Sequence, residues 1–284
     1  MMPTRRSVLP LLLALSLASC SRAPTDPNSN TWRLLPGHVE TLVVPAFRAG
    51  RPCWVYLPPG YEQSTERYPV LYVNDGELAY DVQDGMHINR TCEEMIRSRE
   101  IRPVIVVAIS HVSGDQRWVD YIPPDPYWWS VGEGHGDFYV NAVCDTLKPE
   151  IDRRFRTLRD RANTAMTGFS LGGVISVYAG FARPETFGKV AGFSPSYWVG
   201  DTLSQLVRER GCRARLLRFY QDTGYRDDNN ISRMETLATQ NCFSSGMNFM
   251  SLTVPDAEHT VAAWRRRFGG MLRFLYTPNL YVDR

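Results

Sequence analysis

The sequence has almost no net charge of either sign. Its 284 residues include 32 Lys and Arg against 30 Asp and Glu. Removal of residues 1–19 would take away Arg5 and Arg6 and no acid, leaving 30 of each sign. A protein that binds a polyanion needs a basic surface. The balance therefore argues against nucleic acid as a partner, and no segment indicates an obligate protein partner.

The sequence also lacks an apolar run long enough to cross a bilayer. Residues 8–18 come nearest, and these 11 residues fall well short of the roughly 20 that a membrane helix needs. The run follows Arg5-Arg6 and ends in Leu17-Ala18-Ser19-Cys20, which resembles the signal and cleavage site of a bacterial lipoprotein. We therefore expect Cys20 to become the first, lipid-carrying residue. An ordinary secretory signal cut near Cys20 is the alternative.

These signals divide the chain into three parts. Residues 1–19 form the predicted signal peptide, residues 20–31 a flexible tether rich in Ser, Pro, Asn and Thr, and residues 32–284 a single domain. Ser21, rather than Asp, follows Cys20, which by resemblance to known sorting signals indicates the outer membrane. The expected location is outside the cytoplasm, with the protein lipid-anchored to the outer membrane and facing the periplasm.

Cysteine is scarce, and no spacing of the six cysteines is that of a metal site. We predict neither a metal nor another cofactor. Five cysteines remain after Cys20, and an odd number leaves at least one thiol unpaired in an oxidising compartment. Cys212 and Cys242 each precede a strand-like run, so both should lie at one end of the sheet, and a disulfide between them is predicted. For Cys92 and Cys144, mutual pairing and separate burial both stay open.

The most informative motif that is present is Gly168-Phe169-Ser170-Leu171-Gly172. A Gly-x-Ser-x-Gly run alone is weak. Here an apolar run, residues 164–167, precedes it, and a plausible helix, residues 171–182, follows it. Strand, tight turn and helix together are typical of a nucleophile elbow, in which glycines allow the strained turn that exposes the serine. Ser170 is the predicted nucleophile.

A serine nucleophile needs a base, and in an elbow of this type the order along the chain is Ser, acid, His. Of the five histidines only His259 follows Ser170, so His259 is the predicted base. The acid should follow the strand-like run at residues 216–221, where Asp222, Asp227 and Asp228 are all candidates. Its task is to orient the imidazole of His259.

The oxyanion hole of such an enzyme needs two backbone N–H donors. Leu171, the residue after the nucleophile, would supply the first. Glu77, in the turn after the strand-like run at residues 69–74, would supply the second, with Gly76 allowing the ester carbonyl to approach closely.

Apolar runs of strand length alternate with helical stretches after a first hairpin. They are residues 42–44, 53–57, 70–74, 104–109, 164–167, 189–193, 216–221 and 249–254. This alternation predicts an α/β fold with a mostly parallel, doubly wound sheet of about eight strands flanked by helices. The aromatic segment 114–137, with Trp118, Trp128 and Trp129, is either an active-site wall that stacks on an aromatic acyl group or a capping loop.

Together these segments resemble the esterase family of α/β-hydrolases that includes esterase D, enterochelin (siderophore) esterases, feruloyl esterases and mycolyltransferases. The resemblance covers residues 50–275 and is carried by the following segments: Val55-Tyr-Leu-Pro-Pro-Gly-Tyr61, Tyr68-Pro-Val-Leu-Tyr-Val-Asn-Asp-Gly76, residues 138–156, the elbow, Phe193-Ser-Pro-Ser-Tyr-Trp198, Gly224-Tyr-Arg-Asp227, and His259 with Trp264. Asn74-Asp-Gly76 departs from the Leu-His-Gly or Leu-Leu-Asp-Gly of many relatives.

The resemblance implies an α/β-hydrolase catalytic domain and a serine carboxylic-ester hydrolase that works through an acyl-enzyme. It places the acid at Asp227, because Gly-x-x-Asp/Glu is the usual acid position in the family, and adds Trp198 to the predicted substrate-binding tryptophans. An aryl, feruloyl-type or siderophore ester is the expected substrate, and a simple short-chain ester is close behind. The alternatives are acyl transfer to a sugar and a catalytically inactive binding lipoprotein.

Overall fold

The computed structural model describes residues 38–44, 50–80, 83–111, 114–125, 134–214, 216, 218–225 and 230–277. The predicted signal peptide and tether, with Cys20, lie outside the described residues. So do Trp128, Trp129, Asp227 and Asp228.

Eight strands form one sheet at the centre of the protein. They are β1 (His38–Val44), β2 (Arg51–Leu57), β3 (Val70–Asn74), β4 (Ile105–Ile109), β5 (Thr164–Phe169), β6 (Lys189–Phe193), β7 (Arg218–Gly224) and β8 (Phe249–Val254). Their order across the sheet is β1-β2-β4-β3-β5-β6-β7-β8. Strand β2 is antiparallel to both of its neighbours, and all other neighbours are parallel.

Helices cover both faces of this sheet. In the described part of the chain they are α1 (Ile88–Arg97), α2 (Gln116–Tyr121), α3 (Gly136–Ala142), α4 (Lys148–Arg154), α5 (Leu171–Ala182), α6 (Thr202–Ala214), α7 (Ile231–Gln240) and α8 (Val261–Tyr276). A π-helical turn, Val143–Leu147, joins α3 to α4. Over the same residues, none of the helices is both long and apolar enough to cross a bilayer.

The alternation of side chains along a strand explains the two helical layers. In β3, Val70 and Tyr72 belong to the core that α5 covers, whereas Leu71 and Val73 belong to the core under α1 and α8. These four side chains are at most 2% exposed. Each such burial stabilises the fold by about 1.5–3 kcal/mol. A sheet that is apolar on both faces requires helices on both sides, as the predicted α/β fold has.

The sequence located all eight strands, but the predicted bounds of β1 (42–44 instead of His38–Val44) and of β7 were wrong. The predicted run was 216–221, whereas β7 spans Arg218–Gly224. The parallel ladders continue because Phe193 pairs with Asp222 and Gly224 with Val254. Asp222 therefore lies inside a central strand with no exposed surface, and not in the loop that follows it.

The predicted disulfide joins Cys212 of α6 to Cys242, with the two Cα atoms 5.0 Å apart. Cys53, Cys92 and Cys144 are free and buried, so separate burial is the correct alternative for Cys92 and Cys144. Burial raises the pKa of the Cys144 thiol to about 11 and that of Cys53 to about 12. These thiols stay protonated at neutral pH and are poor nucleophiles there.

Candidate active site

Ser170 lies between the end of β5 and the first residue of α5. Its backbone has φ 55° and ψ −121°, a combination that glycine adopts freely but that side chains of L-residues disfavour. The Ser170 N–H donates to the Phe193 carbonyl at 2.9 Å, and the Ser170 carbonyl accepts from the N–H groups of Gly173 and Ser196 at 3.1 and 3.2 Å. Hydrogen bonds on both sides hold the disfavoured conformation, which is the geometry expected of a nucleophile elbow.

The elbow is tight because two stretches of backbone touch inside it. A Cβ atom on Gly168 would lie 2.5 Å from the carbonyl carbon and oxygen of Gly172, closer than real Cβ atoms come. Any side chain at position 168 would push α5 away from β5. The first glycine of the motif is therefore required by packing, which gives the Gly-x-Ser-x-Gly pattern a physical cause.

A second serine hydroxyl lies beside the predicted nucleophile. Ser196 Oγ is 3.1 Å from Ser170 Oγ, and Ser196 is only 3% exposed. Its backbone is fixed, because its N–H donates to the Ser170 carbonyl and its carbonyl accepts from the Val199 N–H at 3.2 Å. A hydrogen bond between the two hydroxyls favours one side-chain rotamer of Ser170.

His259 follows β8 and directly precedes Thr260, whose hydroxyl caps α8 by accepting from the Ala263 N–H at 3.3 Å. The exposed imidazole meets the Trp264 ring edge-on, with centroids 5.1 Å apart and an interplanar angle of 81°. Trp264 stacks on Phe169 at 5.0 Å and 13°. Because Phe169 directly precedes Ser170, the indole connects the predicted base to the elbow across the two strands that separate β8 from β5.

Asp222 carries a buried carboxylate that anchors α8 to the sheet. Its Oδ2 accepts from the Tyr220 hydroxyl at 2.7 Å, and an Arg267 nitrogen lies 3.4 Å from its Oδ1. Burial, and then the charge of Asp222, raise the pKa of Tyr220, so the phenol keeps its proton and donates. Arg267 and Trp264 also both donate to Ser194 Oγ at 3.3 Å. Asp222 thus helps to set the position of Trp264, on which His259 rests.

For the acid we expect Asp227→Asn to lower kcat by about 10³- to 10⁴-fold, because only the partner of His259 sets its tautomer. Asp228→Asn and Asp222→Asn should cost much less activity. Asp222→Asn should instead lower the melting temperature, because it removes the counter-charge of the buried Arg267. Hydrolysis of p-nitrophenyl acetate and thermal melts of the three variants provide the measurement. A larger loss for Asp228→Asn than for Asp227→Asn would place the acid one residue later.

The two predicted oxyanion donors lie at the ends of neighbouring strands. Leu171 N–H is at the first position of α5, where a helix provides no acceptor and its dipole favours negative charge. Glu77 lies in the turn Gly76–Leu78 after β3, and the hydrogen bonds of this turn use the N–H groups of Leu78 and Ala79. Because β3 and β5 are adjacent and parallel, both donors lie at the same edge of the sheet.

The role predicted for Gly76 needs correction. A Cβ atom on Gly76 would lie 2.5 Å from the carbonyl carbon of Ala108 and 2.6 Å from the nitrogen of Ile109. The missing side chain therefore makes room for β4, not for the carbonyl of a substrate. The Glu77 carboxylate has a partner of its own, since it accepts from the His111 N–H at 3.1 and 3.3 Å.

Two of the four predicted substrate-binding tryptophans lie together in the described residues. The Trp118 and Trp198 rings are 6.2 Å apart with an interplanar angle of 59°, and Trp198 is 47% exposed. Trp118 is on α2, whose Tyr121 is fully buried. Helix α2 therefore packs against the core of the domain through Tyr121, while Trp118 and Trp198 form an aromatic pair that is partly exposed to solvent. Trp128 and Trp129 stay predictions.

Sequence reasoning missed two residues beside the site, Ser196 and Arg117. Ser196 lies inside the segment 193–198 that carries the family resemblance, so a signal was present. Arg117 had none, because it pairs with Asp75, 42 positions earlier in the chain. Among the residues that the structure describes, no three His, Cys, Asp or Glu side chains form a group that could hold a metal ion.

Curated relatives align with parts of the chain. An endo-1,4-beta-xylanase/feruloyl esterase from Xylanibacter ruminicola is 32% identical over 142 residues, which are 47% of this chain and 18% of that protein. An iron(III) enterobactin esterase from Dickeya dadantii is 25% identical over 236 residues, 74% of this chain and 51% of that protein. The aligned part therefore spans about half of the enterobactin esterase and 18% of the xylanase/feruloyl esterase.

Solved structures share the fold. The ferric enterobactin esterase from Salmonella typhimurium superposes with a TM-score of 0.66 and 21% identity, covering 89% of this chain and 59% of that one. An IroE-like serine hydrolase from Shewanella oneidensis gives a TM-score of 0.65 at 21% identity, covering 84% and 79%. At this identity the likeness establishes the α/β-hydrolase fold, as the sequence predicted.

The strongest comparison is with a protein family. The family described as "Putative esterase" matches residues 46–275, which include seven of the eight strands, the elbow and His259. The match covers most of the sequence and agrees with the resemblance carried by the motifs. The chain belongs to this esterase family of α/β-hydrolases.

Proposed function

We propose that the protein is a serine carboxylic-ester hydrolase that acts through an acyl-enzyme on Ser170. The observation that carries the proposal is the backbone of Ser170, at φ 55° and ψ −121° between β5 and α5. Such strain persists only where the surroundings enforce it, and it is characteristic of active sites. Membership of the esterase family supports the same chemistry.

In the first half-reaction Ser170 Oγ attacks the ester carbonyl carbon while His259 removes the hydroxyl proton. The carbonyl oxygen becomes an oxyanion, which the N–H groups of Leu171 and Glu77 stabilise. His259 then returns its proton to the departing alcohol, and the acyl group stays on Ser170. Asp227 keeps the imidazole in the tautomer that can accept the proton.

In the second half-reaction water takes the place of the alcohol. His259 removes a proton from the water molecule, the resulting hydroxide attacks the acyl carbon, and Ser170 leaves with the proton that His259 returns. The products are a carboxylic acid and the free enzyme. The exposure of His259 supports this role, because water can reach the imidazole directly.

For the substrate we propose an ester with an aromatic acyl group, of the feruloyl or catecholate siderophore type. Trp198, which is 47% exposed beside the tilted ring of Trp118, offers an aromatic face on which a substrate ring can stack. The names of two relatives, a feruloyl esterase and an enterobactin esterase, support the same class.

The test combines an active-site probe with a pair of substrates. We expect a fluorophosphonate probe to label Ser170 in the wild-type protein, and both methyl ferulate and p-nitrophenyl acetate to be hydrolysed. The KM for methyl ferulate should be lower by about 10-fold, which corresponds to about 1.4 kcal/mol of ring stacking. A serine that is inert to the probe would favour a non-catalytic binding protein, and equal KM values would leave an esterase for short-chain esters.

For location we propose a lipid anchor at Cys20 in the outer membrane, with the domain in the periplasm. The N-terminal pattern supports this proposal. Strand β1 begins at His38, which pairs with Leu57 at the amino-end edge of the parallel strands. The described part of the domain therefore begins on the side of the sheet opposite Ser170.

We expect the wild-type protein to fractionate with membranes and Cys20→Ser to be soluble or uncleaved. The acyl chains on Cys20 contribute about 0.8 kcal/mol for each buried CH₂ group, enough for stable anchoring of a neutral domain. The esterase activity of Cys20→Ser should be unchanged, since the tether separates residue 20 from the domain. Wild-type protein found wholly in the soluble periplasmic fraction, with another N-terminal residue, would leave a plain exported protein.

A further inference from the structure

Asp75 stands between β3 and the turn that presents the Glu77 N–H. Its backbone, at φ 58° and ψ 48°, is in the left-handed region that Asp and Asn tolerate better than most residues. Its side chain is only 3% exposed, and its Oδ2 lies 2.7 Å from the place that a Cβ atom on Gly172 would occupy. A buried carboxylate therefore touches the first turn of α5 and shapes the β3 turn, the two structures that hold the oxyanion donors.

Arg117 of α2 binds this carboxylate with two parallel hydrogen bonds. Its Nε donates to Asp75 Oδ1 at 2.7 Å and its Nη2 to Asp75 Oδ2 at 2.8 Å. Burial alone would lower the pKa of Arg117, but the hydrogen bond and charge of Asp75 outweigh it and the pKa is raised. His111 Nδ1 is also near, at 3.6 Å from Asp75 Oδ1. Arg117 differs from a histidine in that its positive charge is permanent.

Helix α2 is fixed in place, which fixes Arg117. Asp120 forms a buried ion pair with Arg51 of β2 at 2.5 Å and accepts from Gln116 Nε2 at 2.8 Å. The Tyr121 hydroxyl accepts from the Asp75 N–H at 3.2 Å. One turn of α2 thus holds Asp75 twice, through its backbone and through its carboxylate.

The negative charge of Asp75 would raise the barrier of the reaction unless a positive charge beside it compensates it. Ester hydrolysis develops negative charge on the carbonyl oxygen, and a buried carboxylate beside the donors would oppose that charge in a medium of low dielectric constant. We infer that Arg117 and Asp75 are a positioning pair for the oxyanion hole, in which Asp75 shapes the β3 turn and Arg117 cancels the charge of Asp75. This inference rests on the proposed esterase function and adds two residues that act through the donors.

The pair can be tested by an asymmetry between its two members. Arg117→Ala leaves an uncompensated carboxylate and should lower kcat for p-nitrophenyl acetate by about 30- to 300-fold, with KM changed by less than about 3-fold. Asp75→Asn keeps the left-handed turn and leaves the positive charge, so its kcat should fall by less than about 5-fold. Adding Asp75→Asn to Arg117→Ala should restore kcat by at least about 10-fold.

A pair that only holds α2 against the β3 turn would behave differently, because both single variants weaken the same contact and the double variant cannot regain it. Equal losses of kcat in the two single variants, with no recovery in the double variant, would overturn the inference. A higher KM at unchanged kcat in Arg117→Ala would also overturn it, since Arg117 would then bind the substrate. Arg117→Lys keeps the charge and should stay within about 10-fold of wild type, so it tests the same point if Arg117→Ala does not fold.

Arg183→Ala is the matched control. Arg183 forms a similar two-bond pair with Asp145 at the opposite end of α5, at 2.7 and 3.1 Å, and its loss should change kcat by less than about 2-fold. Failure of the proposed function would look different from failure of this inference. If the proposed function is wrong, the wild-type protein should be as inactive as Ser170→Ala. If the wild-type protein is active but the variants lack the asymmetry in kcat, only the positioning pair is refuted.

Discussion

Ser170→Ala is expected to lower kcat for p-nitrophenyl acetate by about 10⁴-fold or more and to abolish fluorophosphonate labelling. The hydroxyl is the only atom group removed, and no described side chain other than Ser196 places a hydroxyl within hydrogen-bonding distance of Ser170 Oγ. Ser196 cannot replace it, because only position 170 lies at the turn between β5 and α5. The folded structure should persist, since the bonds that hold the turn come from the backbone. Retention of a tenth of the activity would refute the mechanism.

The strain at Ser170 provides an independent control. Ser170→Gly should be as inactive as Ser170→Ala but more stable, by about 1 kcal/mol, because glycine adopts φ 55° and ψ −121° at no steric cost. Thermal or chemical unfolding of the two variants measures this difference. A less stable glycine variant would mean that the elbow is not strained, and the argument from backbone geometry to nucleophile would lose its basis.

The fold could be predicted from the sequence because its signals are local. Each strand is a short apolar run between turn residues, and the two-sided apolar pattern of strands such as β3 requires a layer of helices on each face. The bounds of β7 could not be predicted in this way. Its end depends on the ladders to β6 and β8, where pairs such as Gly224 with Val254 lie far apart in the chain.

The candidate site also contains residues that the sequence can predict and residues that it cannot. Ser170, Leu171 and His259 could be proposed from the sequence, because a motif and an order along the chain point to them. The contacts that hold these residues in place could not be predicted, because each joins segments that lie far apart in the chain. They are Arg117 with Asp75, Arg267 with Asp222, and Trp264 with Phe169. Which distant residues meet depends on how the helices pack on the sheet, and this packing produces no periodic pattern in the sequence.

Two of these contacts are part of buried ion-pair networks that restrict the movement of helices near the candidate site. Buried ion pairs fix two helices that carry residues of the candidate site and its supports, Asp120 with Arg51 for α2 and Asp222 with Arg267 for α8. A buried pair adds little net stability, but removing one partner is costly, so each one opposes movement of its helix. Catalytic geometry has to be held within about 0.5 Å, and rigid elements do this better than loops. The sheet and these two helices form that frame.

His259→Ala is the second large expected effect, a loss of kcat of about 10³- to 10⁴-fold with the fold intact. Without a base, the Ser170 hydroxyl keeps its proton and is a poor nucleophile at neutral pH. Because the imidazole is exposed at the surface, free imidazole added to the assay should restore part of the activity of His259→Ala and none of that of Ser170→Ala. His38→Ala is the control, since this histidine is 63% exposed on the edge strand β1 and its loss should leave kcat unchanged.

The double variant Ser170→Ala, His259→Ala decides whether the two residues act as one unit. If His259 works only by activating Ser170, its removal from a protein that already lacks the hydroxyl should cost nothing further, and the double variant should be as active as Ser170→Ala. If His259 instead binds substrate or stabilises the loop after β8, the two losses should multiply. We expect the first outcome, because His259 contacts Trp264, which in turn stacks on Phe169, the residue directly before Ser170.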